Sequence, residues 1–382
     1  MKILVLERCG LMYGSAFNML QWARHFIDSD LASVDMVLAE PGDFAVQAEE
    51  SGVSTQIWGL PNKLNSYGKQ NLKWLSALIT LPLLIWFNFK CIRNYAKQNE
   101  PYQLVVCNNY RSYIYFFGLL VYLRYYKKKR CILRLQVSHT PINLMAKLAP
   151  KLFSNIIIHG TPGYAKTHVN PSIALAQNSL CLPNPVDTNA YRPIPERRAR
   201  LREQLEISAN DYVFICVASI EPRKKVLELV QEFVRSAPSN ALLVHVGGND
   251  AHPKYQQQLE LAVSSRVRLL GQRNDVVDLL QVADAFVLFS EYEGMPYAIV
   301  EAMACALPVL ATNVGSNCEV LQGVGKVIEV NNQQQLAQGM IEFVSQPELH
   351  RDQGLQARNK VIQEYSCEEY LKRVEAIYCQ GA

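Results

Sequence analysis

Short apolar runs separated by polar turns recur along this chain. Lys2–Leu6, Val34–Ala39, Leu104–Cys107, Arg130–Val137, Ile156–Ile158, Tyr212–Ala218, Leu242–Val246, Val267–Gly271, Ala285–Phe289 and Leu307–Ala311 are rich in Val, Ile and Leu and too short for helices, so each reads as a buried strand. Longer stretches at Ala16–Phe26, Tyr113–Tyr126, Arg197–Leu205, Val226–Phe233 and about 364–378 read as helices. Strand alternating with helix predicts parallel sheets with helices on their faces. A chain of 382 residues is long for one core, so two domains are expected. The prolines of Leu182-Pro183-Asn184-Pro185-Val186-Asp187 and Tyr191-Arg192-Pro193 favour extended backbone and place the boundary there, giving domains of about 1–185 and 186–363.

One stretch breaks the rhythm. Leu72–Tyr95 is helical by length and has sixteen uncharged residues between Lys73 and Lys90. That falls short of the ~20 needed to cross a bilayer, and Pro82 is expected to interrupt it. It reads as a buried or half-buried helix, or as one dipping into a membrane surface with Trp74, Trp86 and Phe87 as anchors.

Charge changes the picture more than composition does. Between residues 51 and 186 there are sixteen Lys or Arg and one acid, Glu100, a net +15. Residues 1–50 carry three bases and eight acids, so the first 186 residues sum to +10 and the rest to −6. Oppositely charged halves suit two domains with different partners. Lys127-Lys128-Lys129-Arg130, beside tyrosines, is expected to lie on an anionic membrane surface. Nucleic acid is the competing polyanion, but no helix-turn-helix, zinc finger or RNA-binding motif is present. Met1–Leu6 reads as a strand rather than a signal peptide, so the protein is expected in the cytoplasm, peripheral on the inner face of the membrane. Ten cysteines without Cys-x2-Cys pairs indicate neither disulfides nor a zinc site.

Candidate chemistry concentrates in DAFVLFSEYEGMPYAIVEAMACALPVLATNVGSNCE, Asp284 to Glu319. It reads as a strand, a turn-forming loop, a helix beginning near Pro296 and a second strand, which puts the loop at the carboxyl edge of a parallel sheet, where ligands sit. The free amides of Met295, Tyr297 and Ala298 suit an anion. Glu293 and Glu301 are eight residues apart, roughly 12 Å along a helix, too far to share one proton or metal. Two such acids grip different parts of one long ligand. The loop after Tyr212–Ala218, Ser219-Ile220-Glu221-Pro222-Arg223-Lys224-Lys225, adds cations. Near the start, Glu7–Ser15 with Gly10 and Gly14 joins strand to helix; its spacing is not Gly-x-Gly-x-x-Gly, and it is a tight turn or a ligand loop.

The Glu-x7-Glu spacing, with Gly294 after the first acid and Glu301-Ala302-Met303-Ala304 at the second, resembles the retaining nucleotide-sugar glycosyltransferases of the GT-B fold, family 4. The resemblance implies two doubly wound, Rossmann-like α/β domains, with acceptor on the first, donor on the second, and the closing helix (about 364–382) returning to the first. It places Glu293, Gly294, Met295 and Pro296 around the donor sugar, Glu301 on the ribose, Lys224 on the diphosphate and Arg273 beside the base. Gly14 and His139, in Ser138-His139-Thr140-Pro141, fall on the acceptor side, His139 near the reacting sugar. A UDP-sugar is favoured over a GDP-sugar, and neither cofactor nor metal is required; no Asp-x-Asp pair is present to hold one.

Three positions depart from the family pattern. Ala218 or Ser219 stands where an Arg is usual, leaving Arg223 or Lys225 to replace it; Lys225 and Ala306 stand where glycines are usual. The activity implied is hexosyl or N-acetylhexosaminyl transfer to a lipid-linked saccharide in bacterial surface polysaccharide synthesis. The alternatives are a catalytically weak binding subunit and a nucleotide-sugar epimerase.

Overall fold

The computed structural model describes residues 1–8, 14–61, 64, 74–98, 101–135, 143–248 and 251–380. The chain divides into two compact units. One holds Met1–Leu182 and Leu371–Ala382, the other Pro183–Tyr370.

The first unit runs β1 (Lys2–Glu7), α1 (Gly14–Asp28), β2 (Ser33–Leu38), α2 (Asp43–Glu50), β3 (Ser54–Ile57), α3 (Trp74–Gln98), β4 (Leu104–Cys107), α4 (Tyr110–Tyr115), α5 (Phe117–Val121), a π-turn (Tyr122–Tyr126), β5 (Arg130–Leu135), α6 (Asn143–Leu152), β6 (Asn155–His159), α7 (Pro162–His168), α8 (Pro171–Ala174) and β7 (Ser179–Leu182). Among the described residues its strands form one parallel sheet, ordered β3-β2-β1-β4-β5-β6-β7. Leu4, Leu6, Val105, Cys107 and Leu133 line one face with Phe87, Phe116 and Leu119. Ile3, Val5 and Ile132 alternate with them and are equally buried, as a strand covered on both faces requires.

The second unit runs α9 (Pro195–Gln204), β8 (Tyr212–Val217), a 3-10 turn (Pro222–Lys224), α10 (Val226–Ser236), β9 (Ala241–Val246), α11 (Pro253–Ala262), β10 (Val267–Leu269), α12 (Val276–Val282), β11 (Ala285–Leu288), α13 (Tyr297–Ala304), β12 (Val309–Thr312), α14 (Asn317–Leu321), β13 (Lys326–Ile328), α15 (Gln333–Ser345) and α16 (Pro347–Glu364); α17 (Cys367–Cys379) begins here, and from Leu371 it belongs to the first unit. Its sheet is parallel, ordered β10-β9-β8-β11-β12-β13. Phe214, Leu243, Val287 and Leu310, one from each inner strand, are fully buried. The order reverses between β8 and β11, and at such a switch point the loops leaving the two carboxyl ends part and leave room for a ligand.

Several sequence expectations change. Pro82 does not interrupt its helix: α3 continues through it from Trp74 to Gln98. Phe87 is no anchor but a core residue without exposed surface, whereas Trp86 beside it is 56% exposed. The helix expected over Tyr113–Tyr126 is three shorter pieces, whereas the closing helix expected at about 364–378 is the single helix α17, beginning at Cys367. Gly14 belongs to α1 as its first residue rather than to the loop before it. No described helix is long and apolar enough to cross a membrane.

Candidate functional site

The loop leaving β8 is fixed by its neighbour. Gly247, just past β9, has φ +143°, and a Cβ there would lie 1.9 Å from the Ala218 carbonyl oxygen, so only glycine allows this approach. His245 Nε2 donates to the same carbonyl at 3.0 Å. Burial pushes its imidazole down to about 4, so it stays neutral. Held at that end, the loop turns through Pro222–Lys224 and enters α10 at Lys225.

The loop leaving β11 lies against it. Glu291 N donates to the Arg223 carbonyl at 2.8 Å. Lys224 Nζ meets Glu293 Oε1 at 2.6 Å, and Ser290 Oγ donates to that oxygen at 2.7 Å. Glu293 is only 4% exposed, so an unpaired carboxylate here would be strongly disfavoured and Lys224 is what keeps it tolerable. Its Oε2 stands 3.9 Å from Arg223 Nη1. Arg223 also donates to Glu221 Oε1 at 2.7 Å and to the Tyr292 carbonyl at 3.3 Å. Burial raises the Glu221 carboxyl, but the Ser219 hydroxyl and the Arg223 guanidinium outweigh it and hold the group below its ordinary range. Lys225 turns away, to Glu228 at 3.6 Å and Glu291 at 3.9 Å. Of the two candidates for the missing arginine, Arg223 is therefore the one beside Glu293.

A third loop supports the second from behind. Thr312 Oγ1 donates to the Ser290 carbonyl at 2.6 Å, and Ser316 N to the Gly294 carbonyl at 2.8 Å. Gly315, at φ +58°, presses so close that a Cβ would meet the Gly294 and Glu293 carbonyl oxygens at 2.3 and 2.4 Å. Asn184 Nδ2 holds the Met295 carbonyl at 3.1 Å. Pro296 then caps α13, whose fifth residue is Glu301. Burial pushes the Glu301 carboxyl up to about 7, partly offset by a hydrogen bond from the Tyr191 hydroxyl.

The structure thus brings Arg223, Lys224, Glu293, Gly294, Met295 and Pro296 to one switch point, with Glu301 on the helix leaving it. Arg273 is exposed and bonded bidentately to Asp275 at 2.8 and 2.6 Å; no described hydrogen bond joins it to the cluster. Ser290, Thr312, Gly315, Asn184 and Tyr191 are positioning residues that the sequence reading quoted within motifs without giving them roles. Both departures from the usual glycines sit where glycine is expected on backbone grounds: Lys225 has φ +50° and Ala306 φ +60°. The left-handed turns are kept without the glycines. Among the described residues no three His, Cys, Asp or Glu come together as a metal site.

In the first unit Gly14 opens α1, and His139 lies outside the described residues. At that sheet's carboxyl edge Arg134 of β5, fully buried, bonds Asn18 and approaches His159 Nε2 at 3.1 Å; burial and this guanidinium push the His159 imidazole well below its ordinary value. The basic run divides. Lys127 and Lys128 are exposed, Lys129 is half-buried, and Arg130 is the first residue of β5. Its guanidinium bonds the Ile377 carbonyl, those of Tyr378 and Gln380 at 3.0 and 2.7 Å, and Asn155 Oδ1 at 2.9 Å. Arg130 is thereby a tie to α17 and is withdrawn from the surface role expected for it.

Residues 197–360 match the family model described as glycosyl transferases group 1. The chain is 30% identical over 222 residues to an N-acetyl-alpha-D-glucosaminyl L-malate synthase of Bacillus anthracis, covering 56% of this chain and 58% of that one. It is 28% identical over 205 residues to a UDP-Gal:alpha-D-GlcNAc-diphosphoundecaprenol alpha-1,3-galactosyltransferase of Escherichia coli, covering 52% and 53%. The chain spans about half the length of the curated relatives it matches. The structure of Anabaena HepE in complex with UDP superposes with a TM-score of 0.79 over 99% of both chains at 19% identity, and a glycosyltransferase from Rickettsia africae at 0.80 over 99% and 97% at 15%. These likenesses and the two parallel sheets establish the GT-B fold with two Rossmann-like units.

Proposed function

We propose that this protein is a retaining glycosyltransferase that takes a sugar from a nucleoside-diphosphate sugar and passes it to a lipid-linked saccharide. The observation that carries this reading is the buried Lys224–Glu293 pair at the switch point, with Arg223 beside it and Glu301 one helix on, all within the stretch matching the group 1 family model. Lys224 and Arg223 neutralise the departing diphosphate, a stabilisation that grows as the charge develops and so favours the transition state. Glu293, its Oε1 held by Lys224 and Ser290, offers Oε2 to a sugar hydroxyl. The bond from the anomeric carbon to the diphosphate oxygen breaks, the acceptor oxygen bonds that carbon on the same face, and the acceptor's proton passes to the departing diphosphate.

UDP is the favoured nucleotide because HepE, alike over its full length, is seen with UDP. A hexose or an N-acetylhexosamine fits the reading equally. The Escherichia coli relative, named for a diphosphoundecaprenol acceptor, supports an acceptor of that class in surface polysaccharide synthesis. With such an acceptor the protein would work at the inner face of the cytoplasmic membrane. The protein's own cations do the work a divalent metal would do on the diphosphate, so EDTA should leave turnover unchanged; a strict requirement for added Mg2+ or Mn2+ would contradict this.

Glu301 gives a test that reads the nucleotide alone. Ribose hydroxyls donate to an ionised carboxylate, and this one, raised by burial, ionises at about 7. UDP affinity measured by calorimetry should be flat at alkaline pH and fall as pH drops through that point, levelling off near the affinity of a neutral side chain, about ten- to a hundredfold lower. Glu301→Gln should bind more weakly and lose the pH dependence; a variant that kept it would remove Glu301 from the ribose site.

A second reading, a binding subunit with slow turnover, is favoured by Ala218 or Ser219 standing where an arginine is expected and by Arg223 being engaged with Glu221. UDP-sugar binding without transfer to any lipid-linked acceptor would select it.

A further inference from the structure

We infer that the outer face of α3 is the surface by which this protein lies on an anionic lipid bilayer. The inference goes beyond the donor reading and does not depend on it. Leu81, Ile85 and Phe89 follow one another at intervals of four residues and are 59%, 50% and 69% exposed, with Trp86 beside them at 56%. From Leu81 to Phe89 one outward line of the helix is therefore apolar. The same line continues as Arg93 and Lys97, both exposed. Between α3 and α5 the stripe borders a groove of about 250 Å³, floored by Leu84, Ile92, Phe117 and Gly118.

The floor offers a partner nothing polar. Asn88, at its base, spends its amide within the unit: Nδ2 donates to the Leu84 and Tyr115 carbonyls at 2.9 and 3.0 Å, and Oδ1 accepts from Leu119 N at 3.0 Å. A surface that is apolar and internally satisfied suits hydrocarbon.

Charge selects among apolar occupants. Lys90 lies 5.8 Å over the Trp86 ring. Tyr122 packs on Tyr95 of α3, which brings the π-turn, exposed Tyr126, Lys127 and Lys128 to the same end of the helix as Arg93 and Lys97. Sixteen bases face one acid between residues 51 and 186, so a second copy of this chain would bring the same positive field against itself. Anionic lipid supplies both the hydrocarbon and the counter-charge. Since α3 is not apolar enough to cross a membrane, it would lie in the interface, with Trp86 at headgroup depth.

The test is sedimentation of the full chain with vesicles of phosphatidylcholine alone and of phosphatidylcholine mixed with phosphatidylglycerol. Binding should favour the mixed vesicles and weaken as salt rises. Ile85→Glu with Phe89→Glu should reduce it at least about tenfold, since two side chains that would be buried in hydrocarbon are lost. Lys127→Gln with Lys128→Gln should reduce binding to the mixed vesicles only. Both pairs are exposed, so thermal melting should hardly move. Quenching of tryptophan fluorescence by brominated lipid, reduced in Trp86→Phe, reads the insertion independently of the charge-changing variants. No binding to either vesicle, equal binding to both, or full binding by the double-Glu variant would overturn the inference. So would a dimer in sedimentation velocity that the double-Glu variant dissociates, which would make the face a contact between copies.

Discussion

Lys224→Met is expected to abolish measurable donor turnover and to lower the melting temperature by about 10 °C. Lys224 and Glu293 are both largely shielded from water, with side chains 14% and 5% exposed. Removing one member of a buried pair strands the other at a cost of about 3–5 kcal/mol, and in a domain of this size each kcal/mol moves the transition by about 2–4 °C. Two effects are superposed, and a second substitution separates them. Lys224→Met with Glu293→Gln leaves no stranded charge, so differential scanning calorimetry should find most of the lost stability restored. Turnover should stay at least about a thousandfold down, because the diphosphate has lost its cation and the sugar its carboxylate. Recovery of turnover together with stability would reduce the pair to a structural bridge.

Gly315→Ala is expected to cut kcat about a hundredfold while UDP affinity changes less than about threefold. The added methyl cannot coexist with the Gly294 and Glu293 carbonyls 2.3 and 2.4 Å away, so the peptide carrying Glu293 must shift, and about 1 Å of misplacement suffices for such a loss. Gly323→Ala is the control. It shares the left-handed backbone, at φ +78°, but its Cβ would meet nothing within 4 Å. It should show the small strain cost and normal kinetics. Equal kinetics for the two variants would mean that Gly315 serves only its own turn.

What could be read from the sequence follows the range of the physics involved. Strands were legible because burial on both sheet faces leaves a short, dense apolar run, and Glu293 and Glu301 because their strand, loop and helix are consecutive. The pairing of Lys224 with Glu293 joins residues 69 apart and depends on which strands adjoin, which no local pattern encodes. Arg130 was misplaced because four bases in a row look alike, whereas the chain enters β5 between the third and fourth and turns that one guanidinium to α17. In α3 the long uncharged run carried no period to say which side faced out. Packing decided that Phe87 goes in and Trp86 out. The departures at Lys225 and Ala306 were visible as substitutions, but not that the backbone keeps its left-handed turns without glycine.

The division of the chain has a consequence for how the protein is made. The second unit is one unbroken stretch, Pro183–Tyr370, whereas the first is completed by residues from Leu371 onward. Trp22 and Phe26 have rings 5.0 and 5.7 Å from that of Tyr378, and the Arg130 guanidinium is satisfied by carbonyls of the same segment. On the ribosome, strands β1 to β7 emerge early but wait with these partners missing while the whole second unit is synthesised. The unit begun first is finished last. A released chain ending at Tyr370 should therefore show the second unit resistant to protease and the first still open to it.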